Sequence, residues 1–254
     1  MDDNFDMGVA PHPIDSVVYL TDVFTSDQCK EIIEIGTTHW SKSQGGIGGG
    51  EKLNVDTNIR NVTVYTPEAL DSTYENPNEF DKKWRGNFAK NDQSALKFKD
   101  NRDPGFISME TRAEHAHRGL QDWLCERIMG NVKAANDGND QFPGWKFEIN
   151  GFLELPQIMH YTEGSGEYKW HIDIGPIPPY SRRKLSYSIF LNSKDEYDGG
   201  DLTFKLEQDD YHREFYDVGG MALFPAYLLH KVTPITKGNR YVLVGWIHGD
   251  LPFR

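Results

Sequence analysis

The stretch YTEGSGEYKWHIDIG, residues 161–175, places His171 and Asp173 two residues apart behind a glycine-containing turn. The second half of the stretch predicts a β-strand. Side chains two apart in a strand point to the same face, so we expect His171 and Asp173 to project together, about 7 Å apart along the strand. Burying such a pair without partners is costly, and a divalent metal ion would satisfy both side chains.

Two ligands are too few to hold a metal ion, and His230 in FPAYLLHKVTP is the best third candidate. Two histidines and one carboxylate leave coordination positions open, which is the pattern of non-heme Fe(II) oxygenases. Arg240 follows ten residues after His230, where it can bind a carboxylate through two hydrogen bonds. Taken alone, however, the H-x-D pair is better explained as a pH-sensitive or hydrogen-bonding strand surface, and Arg240 as part of a surface salt bridge.

The remainder of the C-terminal part predicts a β-rich fold. Short runs rich in β-branched and aromatic residues are separated by turn signals such as Gly199-Gly200 and Lys237-Gly238. These features favour a mostly-β fold with flanking helices (α+β), in which a sandwich or double-sheet jelly roll forms the core. We expect one catalytic domain over residues 1–254, with an N-terminal helical and insert region at 1–140 and the β core at 141–250. The predicted runs are WKFEINGFLELPQIMHY, YKWHIDIG, KLSYSIFLN, GDLTFKL, HREFYDV, GMALFPAYLLHKVTPI and NRYVLVGWIHG.

The N-terminal part contains two helical patterns and long polar segments. A cap at Thr25 or Ser26 and a closing Gly36 predict a short amphipathic helix, and residues 109–135 predict a longer one. Residues 15–24 and NVTVYTP (61–67) predict strands, whereas residues 68–106 predict an irregular insertion. The glycine-rich loop at 41–51 lacks the pattern of a phosphate-binding loop.

Composition excludes some classes of partner. The formal net charge is -12 and the pI about 5.2, which argues against binding to nucleic acid or to anionic membranes. The sequence has no long apolar run and no secretory pattern, and its two cysteines, Cys29 and Cys125, lack metal-type spacing. We therefore expect reduced thiols, no membrane association and a cytoplasmic location. The oligomeric state is left open.

The order of these motifs resembles the Fe(II)- and 2-oxoglutarate-dependent dioxygenases, and within them the prolyl 4-hydroxylase group. The shared pattern is a tyrosine, a glycine turn, a second tyrosine, H-x-D, a Gly-Gly strand start, H-x-V-x-P-V and a basic residue ten positions after the second histidine. Residues 150–249 contain every element, with Ile235 in place of the last valine. The resemblance implies a double-stranded β-helix (jelly-roll) core packed against N-terminal helices.

The resemblance also implies roles for single residues. His171, Asp173 and His230 match the Fe(II) ligands, and Arg240 matches the partner of the distal carboxylate of 2-oxoglutarate. Tyr161 matches a tyrosine that donates a hydrogen bond to this cosubstrate, and the alternative is a core aromatic residue with its hydroxyl at the rim. O2 is the implied second cosubstrate, ascorbate the expected reductant, and succinate and CO2 the coproducts.

Three further residues are implied to bind the substrate. Arg183 and Trp246 stand where the oxygen-sensing prolyl hydroxylases contact their prolyl substrate, and we group Tyr168, the second tyrosine of the pattern, with them. From the sequence alone, Arg183 is equally a solvated arginine beside Arg182, and Trp246 a packed core residue.

One position departs from the family pattern. Phe190 stands where these enzymes have a tyrosine that contacts 2-oxoglutarate. Because phenylalanine has no hydroxyl, another residue must supply it if the contact exists, and Ser188 and Thr233 are the candidates. The loop at 45–50 and the residues around Tyr180 are further predicted to close over the site.

The resulting prediction is hydroxylation of a prolyl residue in a peptide or protein, an activity similar to that of procollagen-proline 4-dioxygenases. The same chemistry on a lysyl side chain, a free amino acid or another small molecule is one alternative. A metal-free jelly-roll binding module is a second, and it has no use for His171, Asp173, His230 and Arg240 together. A metal-binding cupin that does not use 2-oxoglutarate is a third, and it has no use for Arg240.

Overall fold

The computed structural model describes residues 5–7, 17–46, 55–67, 116–140, 142–164, 166–206, 209–213 and 216–253. The predicted insertion at 68–106, the expected helix start at 109–115 and residues 47–51 of the glycine-rich loop lie outside these residues. In the part of the chain that is described, no helix combines the length and the apolar composition that crossing a membrane requires.

Two α-helices are present in the described residues, α1 at Ser26–His39 and α2 at Ala116–Asp137. The predicted Thr25 cap is confirmed: its hydroxyl accepts from the Gln28 backbone N–H, and the Gln28 side chain accepts from the Thr25 N–H. The predicted stop at Gly36 is wrong, because α1 continues to His39. Gly36 instead permits close packing, since a Cβ there would lie 2.2 Å from Ile158 Cδ1.

The strands of the N-terminal part are short. They are β1 at Phe5–Met7, β2 at Val18–Leu20, β3 at Ser41–Gln44, β4 at Arg60–Asn61 and β5 at Thr63–Thr66. The strand predicted over 61–67 is thus two strands, because the chain crosses at Val62 from one sheet to the other.

The C-terminal part contains nine further strands in the described residues. They are β6 at Gln157–Thr162, β7 at Glu167–His171, β8 at Arg183–Phe190, β9 at Tyr197–Gly199, β10 at Leu202–Leu206, β11 at Asp209–His212, β12 at Met221–Pro225, β13 at His230–Val232 and β14 at Ile235–His248. The run WKFEINGFLELPQIMHY is a strand only from Gln157 onward, and HREFYDV contributes only its first residue to β11.

The strands form two antiparallel sheets. The major sheet has the order β1-β2-β12-β8-β14-β6-β5-β3, with β9 also paired to β14, and the minor sheet has the order β11-β10-β13-β7-β4. Strands from residues 1–140 therefore extend both sheets. The division of the chain at residue 140 stays a prediction.

Alternate residues of the major sheet belong to two cores. Leu185, Ile189 and Leu243 pack in a cluster with the buried faces of α1 and α2. Their neighbours Phe190 and Val242 pack in a second cluster with residues of the minor sheet. The major sheet is thus covered by helices on one face and by the minor sheet on the other. We call the second side its inner face.

Candidate metal centre and cavity

The three predicted metal ligands meet between the sheets. His171 is the last residue of β7 and His230 the first of β13, and the two are directly paired in the sheet register. Nε2 of His171 lies 3.7 Å from Oδ1 of Asp173, and Nε2 of His230 lies 3.6 Å from Oδ2. One ligand atom from each residue lies within 4.8 Å of the others, so a single metal ion can contact all three.

Asp173 does not share a strand with His171, as the sequence led us to expect. β7 ends at His171, and Asp173 lies two residues beyond it. Its backbone N–H donates to the carbonyl of Ala226, 2.9 Å away, in the turn after β12. This bond holds Asp173 beside the end of β12 in the major sheet. The Asp173 carboxylate there lies close to both histidines.

Backbone carbonyls fix the orientation of both imidazoles. Nδ1 of His171 lies 2.7 Å from the carbonyl of Lys169, and Nδ1 of His230 lies 2.8 Å from that of Leu228. Since a carbonyl only accepts, each Nδ1 carries the proton and each Nε2 presents its lone pair to the centre. This is the tautomer that binds a metal through Nε2.

The surroundings of the cluster shift the pKa of two of its members. Burial, followed by the neighbouring His230, lowers the pKa of His171. Burial opposes ionisation of Asp173, yet its pKa is lowered because the imidazoles of His230 and His171, the Arg183 guanidinium and a 2.6 Å hydrogen bond from Ser186 Oγ favour the carboxylate. Two imidazoles and one carboxylate form a donor set that fits Fe(II) and leaves coordination positions open.

The triad lines a cavity of about 360 Å³ between the sheets. All the predicted substrate residues line it with the triad, as does Tyr161. Gly46 and Tyr180, which belong to the two segments predicted to close over the site, are part of the cavity wall. Its further polar lining residues are Arg60, Glu154, Gln157 and Ser188.

Arg240 is fully buried beside the cavity. Only 1% of its surface is exposed, and its Nε and Nη1 atoms have no hydrogen-bond partner among the described residues. Arg240 on β14 pairs with Tyr161 on β6, and its guanidinium lies 5.2 Å from the centre of the Tyr161 ring. Arg240 does not itself line the cavity; Tyr161 does. Buried donors without partners are unusual, and a carboxylate would satisfy them.

Tyr161 is 2% exposed, and its hydroxyl lies 3.7 Å from the sulfur of Met159. Burial raises the pKa of this hydroxyl, so it remains a hydrogen-bond donor. A thioether is a weak acceptor. The hydroxyl can therefore exchange this partner for a better one inside the cavity.

Arg183 is held by protein groups on all sides. Its Nε and Nη2 donate to the two carboxylate oxygens of Glu154 at 2.7 and 2.5 Å, and its Nη1 donates to the carbonyl of Asp173 at 2.9 Å. The guanidinium lies 3.5 Å from the centre of the Trp246 ring and 4.7 Å from that of Tyr180. Arg183 thus connects the candidate metal ligand Asp173 to Trp246 in the cavity wall.

His248 completes this network from β14. Its Nδ1 accepts from the Leu153 backbone N–H, and its Nε2 lies 3.1 Å from Glu154. The carboxylate of Glu154 therefore has two partners and is buried with them. Hydrogen bonds from His248 and Arg183 lower the pKa of Glu154 although burial opposes this.

The aromatic ring of Tyr168 stacks on the ring of His171, with centres 3.4 Å apart and planes at 15°. Its other neighbour is Arg60, whose guanidinium lies 4.7 Å from the Tyr168 ring centre. Tyr168 therefore lies between a metal ligand and a cation. Burial raises its pKa to about 12.

Sequence reasoning missed Arg60, Glu154 and Ser186. Arg60 lies in a two-residue strand that no periodic pattern reveals. Glu154 lies outside any strand, and Ser186 is a small polar residue in a buried strand. The alternation of polar and apolar residues in KLSYSIF was the one available signal, because it marks Ser186 and Ser188 as facing away from the helices.

The two candidates for the missing hydroxyl at Phe190 differ in position. Ser188 lines the cavity. The Thr233 hydroxyl accepts from the Asp201 backbone N–H at 2.8 Å and is occupied there. Phe190 itself stacks on Tyr216, with ring centres 3.9 Å apart.

Comparison with known proteins agrees with this geometry. Residues 156–248 match the family described as the 2OG-Fe(II) oxygenase superfamily. The chain is 41% identical over 95 residues to a PKHD-type hydroxylase of Synechococcus sp. (strain CC9605), a match that covers 37% of this chain and 42% of that protein. It is 39% identical over 103 residues to a PKHD-type hydroxylase of Hyphomonas neptunium, covering 38% and 44%. The matched part thus spans less than half the length of these curated relatives.

Solved structures share the fold. A prolyl hydroxylase from Trichoplax adhaerens, in complex with a hypoxia inducible factor peptide fragment, aligns with a TM-score of 0.57 over 92% of this chain and 84% of that one. A prolyl-4-hydroxylase of Pseudomonas putida aligns with a TM-score of 0.51 over 92% and 93%. Both are 14% identical in sequence, so they show the fold alone. The predicted mostly-β jelly-roll fold is confirmed, and the resemblance to the 2OG-Fe(II) oxygenase superfamily is confirmed over residues 156–248.

Proposed function

We propose that this chain is an Fe(II)- and 2-oxoglutarate-dependent dioxygenase that hydroxylates a prolyl residue of a peptide or protein. The observation that carries the proposal is the pairing of the His171–Asp173–His230 cluster with an arginine, Arg240, whose buried donors lack partners. The first feature fits a metal ion and the second fits a carboxylate. Together they fit a metal-bound cosubstrate that has a second acidic end.

His171, Asp173 and His230 would hold the iron. When bound, iron in this family supplies the oxidative chemistry that turns 2-oxoglutarate and O2 into succinate and CO2 and hydroxylates a substrate C–H bond. The protein's contribution is orientation. The carbonyls of Lys169 and Leu228 and the hydroxyl of Ser186 keep the three ligands aimed at one point, so little reorganisation accompanies metal binding.

Arg240 and Tyr161 would fix the far carboxylate of 2-oxoglutarate. Nε and Nη1 of Arg240 are the buried donors that await an acceptor, and hydrogen bonds between charged groups are the stronger kind. Tyr161 lines the cavity with its ring centre 5.2 Å from the Arg240 guanidinium, and its hydroxyl would add a neutral donor. The inner face excludes water from these groups, which strengthens the interactions inside the cavity.

Arg183, Trp246 and Tyr168 would shape the place of the substrate. All three line the cavity near the triad. The Arg183 guanidinium is already bound to Glu154 and to the Asp173 carbonyl, so we assign it the positioning of Trp246 and Asp173 rather than direct recognition by its bound nitrogens. The hydroxylase names of the relatives and the peptide bound to the Trichoplax protein support a peptide or protein substrate. Ascorbate is proposed as the reductant.

The alternatives explain fewer observations. A metal-free binding module has no need of two imidazoles held with Nε2 toward a shared carboxylate. A cupin that does not use 2-oxoglutarate leaves the Arg240 donors without a function. Hydroxylation of a lysyl side chain or a small molecule uses the same centre, and it is distinguished by the product.

The test measures succinate formation from 2-oxoglutarate with Fe(II) and ascorbate under air, with and without proline-containing peptides. We expect His171→Ala and Arg240→Ala to reduce turnover by at least about 100-fold, because each removes a contact to a group in the reaction. His160→Ala is the matched control, since this histidine on β6 stacks on Tyr241 and does not line the cavity.

A product 16 Da heavier at proline, formed by the wild type and by His160→Ala, would support the prolyl assignment. Turnover that peptides do not stimulate would keep the oxygenase and reject the peptide substrate. The binding module would be the better explanation if the wild type neither binds Fe(II) or Mn(II) nor consumes 2-oxoglutarate.

A further inference from the structure

A second arginine reaches the cavity from the opposite sheet. Arg60 lies on β4, at the edge of the minor sheet, and is part of the cavity wall. Its guanidinium lies 4.7 Å from the ring centre of Tyr168, and that ring stacks on His171. A single aromatic ring thus separates this cation from a metal ligand.

One edge of the Arg60 guanidinium has no oxygen acceptor among the described residues. Nη1 donates to the Gly46 carbonyl at 2.6 Å, which fixes the side chain. Nη2 lies 3.1 Å from the sulfur of Met159, a weak acceptor. Nε is buried and has no partner in the part of the chain that is described. The edge formed by Nε and Nη2 is one through which arginine binds a carboxylate with two parallel hydrogen bonds.

Gly45 leaves room beside this edge. A Cβ at position 45 would lie 2.8 Å from Nε of Arg60 and 2.6 Å from Val62 Cγ1. Glycine is therefore the residue that keeps a small space next to the unpartnered donor. The backbone of Gly45 is held by a 2.8 Å hydrogen bond from its N–H to the Val62 carbonyl.

The charges of the described cavity residues and of the proposed occupants leave the Arg60 guanidinium without a negatively charged partner. Among the described residues that line the cavity, Glu154 is paired with Arg183. With the proposed occupants in place, the two charges of Fe(II) match the two carboxylates of 2-oxoglutarate, and Asp173 matches Arg240. Arg60 then remains a cation without a counter-ion in a partly buried site. Such a cation favours a negatively charged partner.

We propose that Arg60 binds a carboxylate of the substrate, so that the hydroxylated residue lies next to an acidic group. This inference rests on the proposed function and adds a substrate class to it. The carboxylate has two sources, an acidic side chain beside the target proline or the free carboxyl end of a peptide. In this proposal Arg60 is a residue for specificity, separate from the three metal ligands and from Arg240.

The test measures binding of short peptides to the full chain loaded with Mn(II) and saturating 2-oxoglutarate without oxygen. One pair of probes is N-acetyl-Pro-Glu-amide and N-acetyl-Pro-Gln-amide, and the other is N-acetyl-Gly-Pro as the free acid and as the amide. Isothermal titration gives the dissociation constant of each. We expect the acidic member of at least one pair to bind about tenfold more tightly. The pair that shows the preference identifies the source of the carboxylate.

Variants then assign this preference to Arg60. In Arg60→Gln the acid and amide members should bind equally, while the affinities for Mn(II) and for 2-oxoglutarate stay at wild-type values. Arg60→Lys should keep part of the preference, because the charge remains and the two-bond geometry is lost. Gly45→Ala should reduce it by filling the space beside Nε, with thermal melting as the check that this variant folds.

Three results would overturn the proposal. If the wild type binds both members of each pair equally, the protein does not recognise a carboxylate of the substrate. If Arg60→Gln keeps the preference for the acid, Arg60 is not the residue that binds the carboxylate. A loss of 2-oxoglutarate affinity in Arg60→Gln would assign Arg60 to the cosubstrate instead. In each case intact Mn(II) and 2-oxoglutarate binding by the wild type leaves the proposed function standing, whereas absence of both would reject the proposed function and this inference together.

Discussion

The two faces of the major sheet are built from the same strands and serve different ends. On β8 and β14 the helix-facing positions include Leu185, Ile189 and Leu243, which are all fully buried and apolar. The inner face of the same strands carries Ser186 and Arg240, which are equally buried and polar. Burying a polar group is unfavourable unless it finds a partner. The helix-covered face therefore supplies stability, whereas the inner face buries the polar groups that the proposed function requires.

The largest effect on stability should come from the helix-covered face. Leu243→Ala removes a fully buried side chain from the cluster with α1 and α2, and we expect it to lower the free energy of unfolding by about 2–5 kcal/mol through lost burial and a cavity. Affinity for Mn(II) should not change, because the mutation lies on the face away from the triad. Urea denaturation measures the first quantity and isothermal titration the second.

Ile189→Ala, on the same face of the neighbouring strand, is the matched variant for this comparison. It should behave in the same way. If either variant were to weaken Mn(II) binding in protein that is still folded, the two faces would not be separable, and the division of labour between them would be wrong.

The inner face should show the opposite pattern at Arg240. Arg240→Met keeps an unbranched chain and removes a charge whose Nε and Nη1 lack partners in the described residues. We expect the metal- and cosubstrate-free protein to be as stable as the wild type or more stable by about 1 kcal/mol. The affinity for 2-oxoglutarate, measured with Mn(II) present, should fall roughly 10- to 100-fold, since hydrogen bonds to a charged group are lost.

Arg240→Lys is the companion variant, because it keeps the charge but not the two-bond geometry. It should retain an intermediate affinity. A strong loss of stability in Arg240→Met without cosubstrate would mean that protein groups already satisfy the guanidinium in the free protein. Arg240 would then stabilise the fold, and the two faces would not differ in the way described.

The same comparison explains what the sequence could predict. Apolar runs and turn residues were sufficient for the β-rich core, because side-chain alternation is regular along most strands. The H-x-D pair and His230 were named from the sequence, and the structure brings the three together although Asp173 lies beyond β7. The family resemblance implied that Arg240 and Tyr161 both contact 2-oxoglutarate, and the structure pairs the two residues across β14 and β6.

Two of the points at which alternation failed lie at the site. Between β13 and β7, His230 pairs with His171 but Val232 pairs with Tyr168, so β7 holds an extra residue. Between β14 and β8, Ile247 pairs with Leu185 but His248 pairs with Arg183. Each bulge shifts the alternation by one. Tyr168 and His171 therefore share the cavity although they are three residues apart, and Arg183 reaches it although Leu185 faces the helices.

Other features depend on contacts between distant parts of the chain. Asp173 lies beyond its strand because the Ala226 carbonyl binds its backbone, and no local pattern encodes that bond. Arg60 comes to the cavity only because the chain changes sheets at Val62. Gly36 read as a helix stop because glycine often follows a helix, whereas here it gives room to Ile158.

The smallest effect should come from a hydroxyl on the inner face. Ser186 Oγ donates to Asp173 Oδ2 at 2.6 Å, so Ser186→Ala leaves the shape of β8 unchanged and removes a bond that aims a metal ligand. We expect Mn(II) affinity to fall about tenfold with a change in unfolding free energy of about 1 kcal/mol or less. Ser188→Ala, two residues along the same face and also at the cavity, is the control and should leave Mn(II) affinity unchanged. Equal losses in both variants would show that the polarity of the inner face matters as a whole, whereas a loss confined to Ser186→Ala would show that single hydrogen bonds position the ligand and account for the polar residues buried there.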